Sequence, residues 1–380
     1  MKPIRWAFPL LFLASTAFAD DGGLASHAPD ASFSTLITTS LAIEGLTSDY
    51  HGNLYVPERS PGAGNPCPVL RIPVSDPSHF APVGYVPAPA SGQCAPSGLA
   101  FGPDGRLYVT QSDGNIYRFT PDATTPPTAT VFASGVPGNN GLAFDWNGNL
   151  WTGDGTTSQG RVWRISPDGA TVVEVFRIPA MANPAGVGRS VLTLQPAPAA
   201  PNAQGLVANG LQFDHSHNLY IADTARGALW KVHLAHDSTP QADVGCDSTF
   251  APNTLCLDQV WVQHPSLEGA DGFVLDEAGN AWVDANERNA VVFVAHGTGE
   301  VVEVFRNPVA GSGLRNEGPL ETPTSPVLMG HQLCTANSDG NRRDNSPNSA
   351  GEIGGSGPKG KISCLDQRVT IPGMPLPIGR

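Results

Sequence analysis

The sequence predicts an all-β protein, a six-bladed β-propeller, and two observations carry that prediction. The first is a unit of short alternating strands. Asn209-Gly210-Leu211-Gln212-Phe213-Asp214 reads as one strand, His215-Ser216-His217 as a polar turn, Leu219-Tyr220-Ile221 as a second strand and Gly227 to Val232 as a third. The second is that the unit recurs. Glu44-Gly45-Leu46, Ser97-Gly98-Leu99, Asn140-Gly141-Leu142 and Asp271-Gly272-Phe273 align with Asn209-Gly210-Leu211, and Ser325-Pro326-Val327 is a weaker sixth. The leading residues are 53, 43, 69, 62 and 54 residues apart, which fits a blade of roughly 40–50 residues plus loop insertions. One such sheet cannot bury both faces, whereas a closed ring of six can.

Taken in order, the chain opens with Lys2 and Arg5, an apolar run from Trp6 to Ala14, and the small-residue site Ala17-Phe18-Ala19. This is the order of a secretory signal over residues 1–19, so the expected mature domain is 20–380. A soluble product, secreted or periplasmic and leaving the membrane once the signal is removed, is expected. The six cysteines suit an oxidising compartment, and none has metal-ligand spacing. Local pairing is expected: Cys67–Cys94 across the loops around blade 1, Cys246–Cys256 within one insertion, and Cys334–Cys364 on neighbouring strands of the last blade. The formal charge is −13. Loss of Lys2 and Arg5 leaves 19 basic against 34 acidic residues, a charge of −15, which argues against a nucleic-acid partner. The expected partner is a small molecule, and the expected state a monomer.

Two insertions interrupt the repeat. Residues 178–207, rich in Pro and Ala, precede blade 4 and are expected over the ligand face as a lid, a pocket wall or a solvated loop. Residues 236–257 are expected on the opposite face. Toward the C-terminus, Lys361 to Leu365 reads as another strand, and Phe33 to Thr38 near the N-terminus is a further candidate for closing the ring.

The first strand of a propeller blade lines the central channel, so Glu44, Ser97, Asn140, Asn209, Asp271 and Ser325 are expected to converge on one mouth of it. Two acids, two amides and two hydroxyls there suit a hard cation. Asn and Asp before Gly are also routine turn formers. The two serines show, however, that the turn itself requires neither acid nor amide. Asp154, Asp223 and Asp284 recur at the ends of second strands and are expected to serve blade-to-blade hydrogen bonding and turns. His215 and His217 fall in a turn away from the mouth.

These residues, with Pro323-Thr324-Ser325, Gly330 and Leu333 at the close, resemble the gluconolactonase/regucalcin (senescence-marker protein) family over about Glu44 to Thr335. The pattern is similar also to diisopropyl fluorophosphatase. The resemblance implies a propeller hydrolase with one divalent cation, Ca²⁺ first, Zn²⁺ or Fe²⁺ as alternatives. It places the family's metal-binding residues on Glu44, Asn140, Asn209 and Asp271, substrate contacts on Asn140 and Asn209, and the catalytic base or nucleophile on Asp271. The implied activity is hydrolysis of a sugar-acid or similar lactone. A phosphotriesterase and a non-catalytic binding platform are the alternatives.

Overall fold

The computed structural model describes residues 32–59, 62–155, 157, 159–178, 208–240, 255–257, 260–306, 318–338, 340–341, 352–353 and 359–366. These form six sheets of four or five strands around one axis, plus a two-stranded hairpin, Gly340–Asn341 with Glu352–Ile353. Among the described residues the helical elements are three one-turn 3-10 helices, and no helix is long and apolar enough to cross a membrane. The signal segment, most of the insertion at 178–207 and Cys246 lie outside the described residues.

From the inner strand outward, blade 3 comprises Asn139–Phe144, Leu150–Asp154, Arg161–Ile165 and Val172–Arg177. Blades 1, 2, 4 and 5 repeat this antiparallel meander, with inner strands Thr47–Ser48, Pro96–Phe101, Ala208–Phe213 and Ala270–Leu275. Blade 6 joins the two ends of the chain. Pro323–Met329 and Gln332–Asn337 are followed by Lys361–Leu365 as third strand, and Phe33–Thr38 pairs antiparallel with it as the outermost. Both candidate closing segments are therefore used, and the ring is closed with strands from both termini.

The core is distributed rather than central. Six apolar clusters fill the six blade-to-blade interfaces; Trp151, Phe176 and Leu211 serve blades 3 and 4, and Trp282, Phe293 and Leu328 serve blades 5 and 6. Side chains alternate along each strand, so each sheet feeds two clusters at once. The disulfides Cys67–Cys94 and Cys334–Cys364 form as the spacing predicts.

The turn after the inner strand explains a second recurring feature. Asp49, Asp145, Asp214 and Asp276 each accept from the backbone N–H and the amide of an asparagine four residues on, and from an aromatic side chain six residues on. The Trp151 indole N–H, for instance, donates to Asp145 at 2.8 Å. One carboxylate thus ties the hairpin and supplies the acceptor that a buried Trp or Tyr needs. The Tyr55 phenol, buried and facing the charge of Asp49, is pushed up to about 12.

The insertion after the third strand of blade 4 lies, in its described part, on the face opposite the mouth. The Trp146 indole and the Asn147 amide both donate to the His236 carbonyl at 2.7 Å, and Arg164 donates to the Ser238 carbonyl at 2.7 Å. Leu255–Cys256 then adds a parallel strand to the outer edge of blade 3.

Candidate functional site: the axial mouth

Each inner strand begins with the same irregularity. The residue before the leading position pairs with the end of the second strand: Ile43 with Glu58, Pro96 with Gln111, Asn139 with Asp154, Ala208 with Asp223, Ala270 with Ala285 and Pro323 with Asn337. One extra residue on the inner strand then shifts the register. Such a bulge turns a side chain out of the pleat. It does so at the same place in every blade.

This register corrects two sequence expectations. The sixth leading residue is Thr324 rather than Ser325, which takes the place held by glycine in the other blades. Blade 6 alone lacks a glycine after its leading residue, because Pro323-Thr324-Ser325-Pro326 carries none. Similarly, the equivalent of Asp154 and Asp223 in blade 5 is Ala285, so Asp284 projects to the other face of its strand.

The glycines after the leading residues set the ring's spacing. A Cβ on Gly45 would meet the Ser97 carbonyl at 2.1 Å, on Gly98 the Asn140 carbonyl at 2.2 Å, on Gly141 the Asn209 carbonyl at 2.8 Å, on Gly210 the Asp271 carbonyl at 2.8 Å and on Gly272 the Thr324 carbonyl at 2.4 Å. The Thr324 hydroxyl closes the circle by donating to the Glu44 carbonyl at 2.8 Å. Glu44, Ser97, Asn140, Asn209, Asp271 and Thr324 therefore follow one another around the axis. The channel they head is a cavity of about 70 Å³, lined by the inner strands of all six blades.

A second ring supports the first. Fifteen residues after each of five leading residues stand Arg59, Ser112, Gly155, Thr224 and Asn286, just past the second strands. The Asn286 amide donates to Asp271 Oδ2 at 2.7 Å, and the Asn209 amide donates to the Thr224 hydroxyl at 3.3 Å. Gly155 leaves room for the Asn140 amide, which a Cβ there would strike at 2.1 Å. Arg59 forms an ion pair with Glu44. Asn139, by contrast, donates to the Asn115 carbonyl of blade 2 at 3.1 Å, which makes it a blade-to-blade residue.

The four sequence-selected residues thus occupy equivalent positions at one mouth. Asp271, Asn209 and Asn140 are 5–7% exposed, and the Glu44 side chain 12%. Among the described residues the buried Asn286 Oδ1 and Asp284 Oδ1 have no hydrogen-bond partner. Buried oxygens left in this way ordinarily have a partner. Burial, with Asp271's charge adding to it and the Thr335 hydrogen bond opposing, holds the Asp284 carboxyl well above its ordinary range.

The remaining acids and histidines serve the scaffold. Asp154 accepts from Arg161 Nε at 2.8 Å, and Asp223 from Arg226 at 2.7 Å and the Trp230 indole at 3.0 Å. His217 stacks on Trp146 at 3.9 Å in the turn on the opposite face. The sequence repeat does not mark Arg59 or Asn286. A count of fifteen from each leading residue would have found both, once the hairpin register was known.

A strictosidine synthase-like, N-terminal family profile matches residues 90–119, the first three strands of blade 2. No curated protein matches the chain. Among solved structures, a calcium-binding protein, regucalcin, from Agrobacterium tumefaciens is 17% identical with a TM-score of 0.55, covering 90% of this chain and 96% of its own. A gluconolactonase from Xanthomonas campestris is 15% identical with a TM-score of 0.52, covering 90% and 91%. A luciferin-regenerating enzyme is 14% identical with a TM-score of 0.56, covering 90% and 97%. At such identities the likeness is one of fold. In fold, the chain is a six-bladed propeller of the kind that regucalcin and gluconolactonase build.

Proposed function

We propose that the protein is a lactonase-type hydrolase acting at the axial mouth, with Glu44, Asn140, Asn209 and Asp271 holding one divalent cation and Asp271 as general base. The observation that supports the reading is the ring itself: two carboxylates and two amides at equivalent positions, with neighbouring oxygens of Asn286 and Asp284 that no donor among the described residues satisfies. Such a donor set fits a hard ion, calcium first and zinc or iron(II) after it. When bound, that ion supplies Lewis acidity toward a lactone carbonyl.

The chain's own residues do the rest. Asn286 donates to Asp271 Oδ2 and so fixes the orientation of the carboxylate that acts on the attacking water. Asp271 removes a proton from that water as its oxygen bonds to the carbonyl carbon. The bond between that carbon and the ring oxygen then breaks, and the departing oxygen regains the proton, giving a hydroxy acid. Asn140 and Asn209 bind and orient the substrate, Asn209 being steadied by Thr224. Export through residues 1–19, a mature domain of 20–380 and a monomeric state belong to the same reading. The two disulfides support an oxidising compartment.

Asp271→Asn tests the base. The variant keeps an oxygen for Asn286, so its hydrolysis of the cognate lactone should fall by about 10²–10⁴-fold in kcat. Ser97→Ala, at an equivalent position without an assigned role, should stay within a few-fold of wild type. Wild-type turnover by Asp271→Asn would remove the proposed mechanism.

A further inference from the structure

The mouth contains a cation of the chain's own. In blades 2 to 5 the residue fifteen beyond the leading position is small or neutral: Ser112, Gly155, Thr224 and Asn286. Blade 1 alone places a long positive side chain there. Arg59 is not a loose arm, because its backbone N–H donates to the Ala42 carbonyl at 2.7 Å and the preceding Glu58 is bridged to Ile43. Glu58 Oε1 also accepts from the Ser40 and Leu41 N–H groups, which anchors the strand end.

From this fixed base the Arg59 guanidinium reaches Glu44, and its buried Nε makes no hydrogen bond among the described residues. A third of the Arg59 side chain is exposed, and the charge of Asp271 acts on its guanidinium, opposing the cost of its partial burial. Glu44 and Asp271 carry two negative charges between them. A divalent ion alone would cancel these, whereas a divalent ion beside Arg59 would leave the partly buried cluster positive and repulsive.

We propose that Arg59 and a divalent cation are mutually exclusive partners of Glu44, so that the cation binds only when Arg59 leaves the carboxylate. The proposal rests on the reading of the mouth as a cation site. It makes Arg59 the residue that sets the site's metal affinity, and gives the mouth two states, one closed by arginine and one loaded.

Equilibrium dialysis of the full mature chain against calcium, and separately against zinc, tests it without reference to activity. Arg59→Met keeps the aliphatic stem and removes the charge. It should bind the preferred ion at least tenfold more tightly than wild type, and adding Glu44→Gln to it should abolish the gain. If Arg59→Met does not fold by circular dichroism, Arg59→Gln replaces it with the same expectation. Equal or weaker binding by the neutral variant overturns the exclusion while leaving the cation site standing. If neither wild type nor the variant binds either ion, the cation reading fails and the exclusion with it.

Discussion

Gly272 offers a quantitative test of how the propeller closes. A Cβ there would stand 2.4 Å from the Thr324 carbonyl oxygen and 3.0 Å from Ser325 Cα, and neither is a side chain that could rotate away. A carbon normally approaches a carbonyl oxygen no closer than roughly 3.3 Å, so Gly272→Ala must separate blades 5 and 6 by about 1 Å at the axis. Overpacking of this kind costs about 1–3 kcal/mol. Gly297 is the control, since a Cβ there meets nothing within 4 Å and its backbone is one that alanine adopts. Gly297→Ala should therefore be neutral or stabilising, by up to about 0.4–1 kcal/mol, through the unfolded chain. Urea unfolding of both variants beside wild type measures the difference. A Gly272→Ala variant as stable as Gly297→Ala would mean that the inner strands are not packed at the distance on which the ring geometry depends.

Two further outcomes follow from the scaffold. Burial raises the Glu58 pKa above its ordinary 4.5, with the Leu41 and Ser40 N–H groups opposing. As pH rises through the window above 4.5 the unfolded chain gives up this proton first, so stability falls until the folded-state pKa is passed. Glu58→Gln keeps an acceptor for both N–H groups and lacks the proton, so its melting temperature relative to wild type should climb across that window and then level off; a constant difference would contradict the assignment. The Cys67–Cys94 bridge closes a loop with a sequence separation of 27. Its replacement by two alanines should cost roughly 3.5 kcal/mol in chemical denaturation, and no measurable loss would show that the bridge is not formed in the folded protein.

Much of the fold is legible because blades 1, 3, 4 and 5 repeat three signals together: alternation, a polar residue before glycine, and an aspartate that ties the next turn. Asn209 to Tyr220 carries all three, and the structure uses each of them. Where a signal is missing the structure departs from the sequence expectation: blade 6 has no glycine after its leading residue, and Thr324 rather than Ser325 holds that position. In blade 5 four residues separate Asn280 from Asp284, against five in blades 3 and 4, and that single residue moves Asp284 to the other face of its strand. Arg59 and Asn286 were hidden for a different reason. Their contacts with Glu44 and Asp271 cross a hairpin whose register depends on a bulge, and alternation alone does not locate a bulge. The pairing of Cys246 falls outside the described residues.

In the proposed reaction the axial mouth hydrolyses a cyclic ester with the help of a divalent ion. Its most direct test is hydrolysis by the purified mature chain of a panel of sugar-acid and simple lactones, with a phosphotriester alongside, measured as isolated, after chelator treatment, and after restoring calcium, zinc or iron(II). Turnover of at least one lactone, its loss on chelation, and its return with one of the three ions are expected. Lactone turnover unaffected by chelator, turnover of the phosphotriester alone, or no turnover of any substrate in any metal state would contradict it.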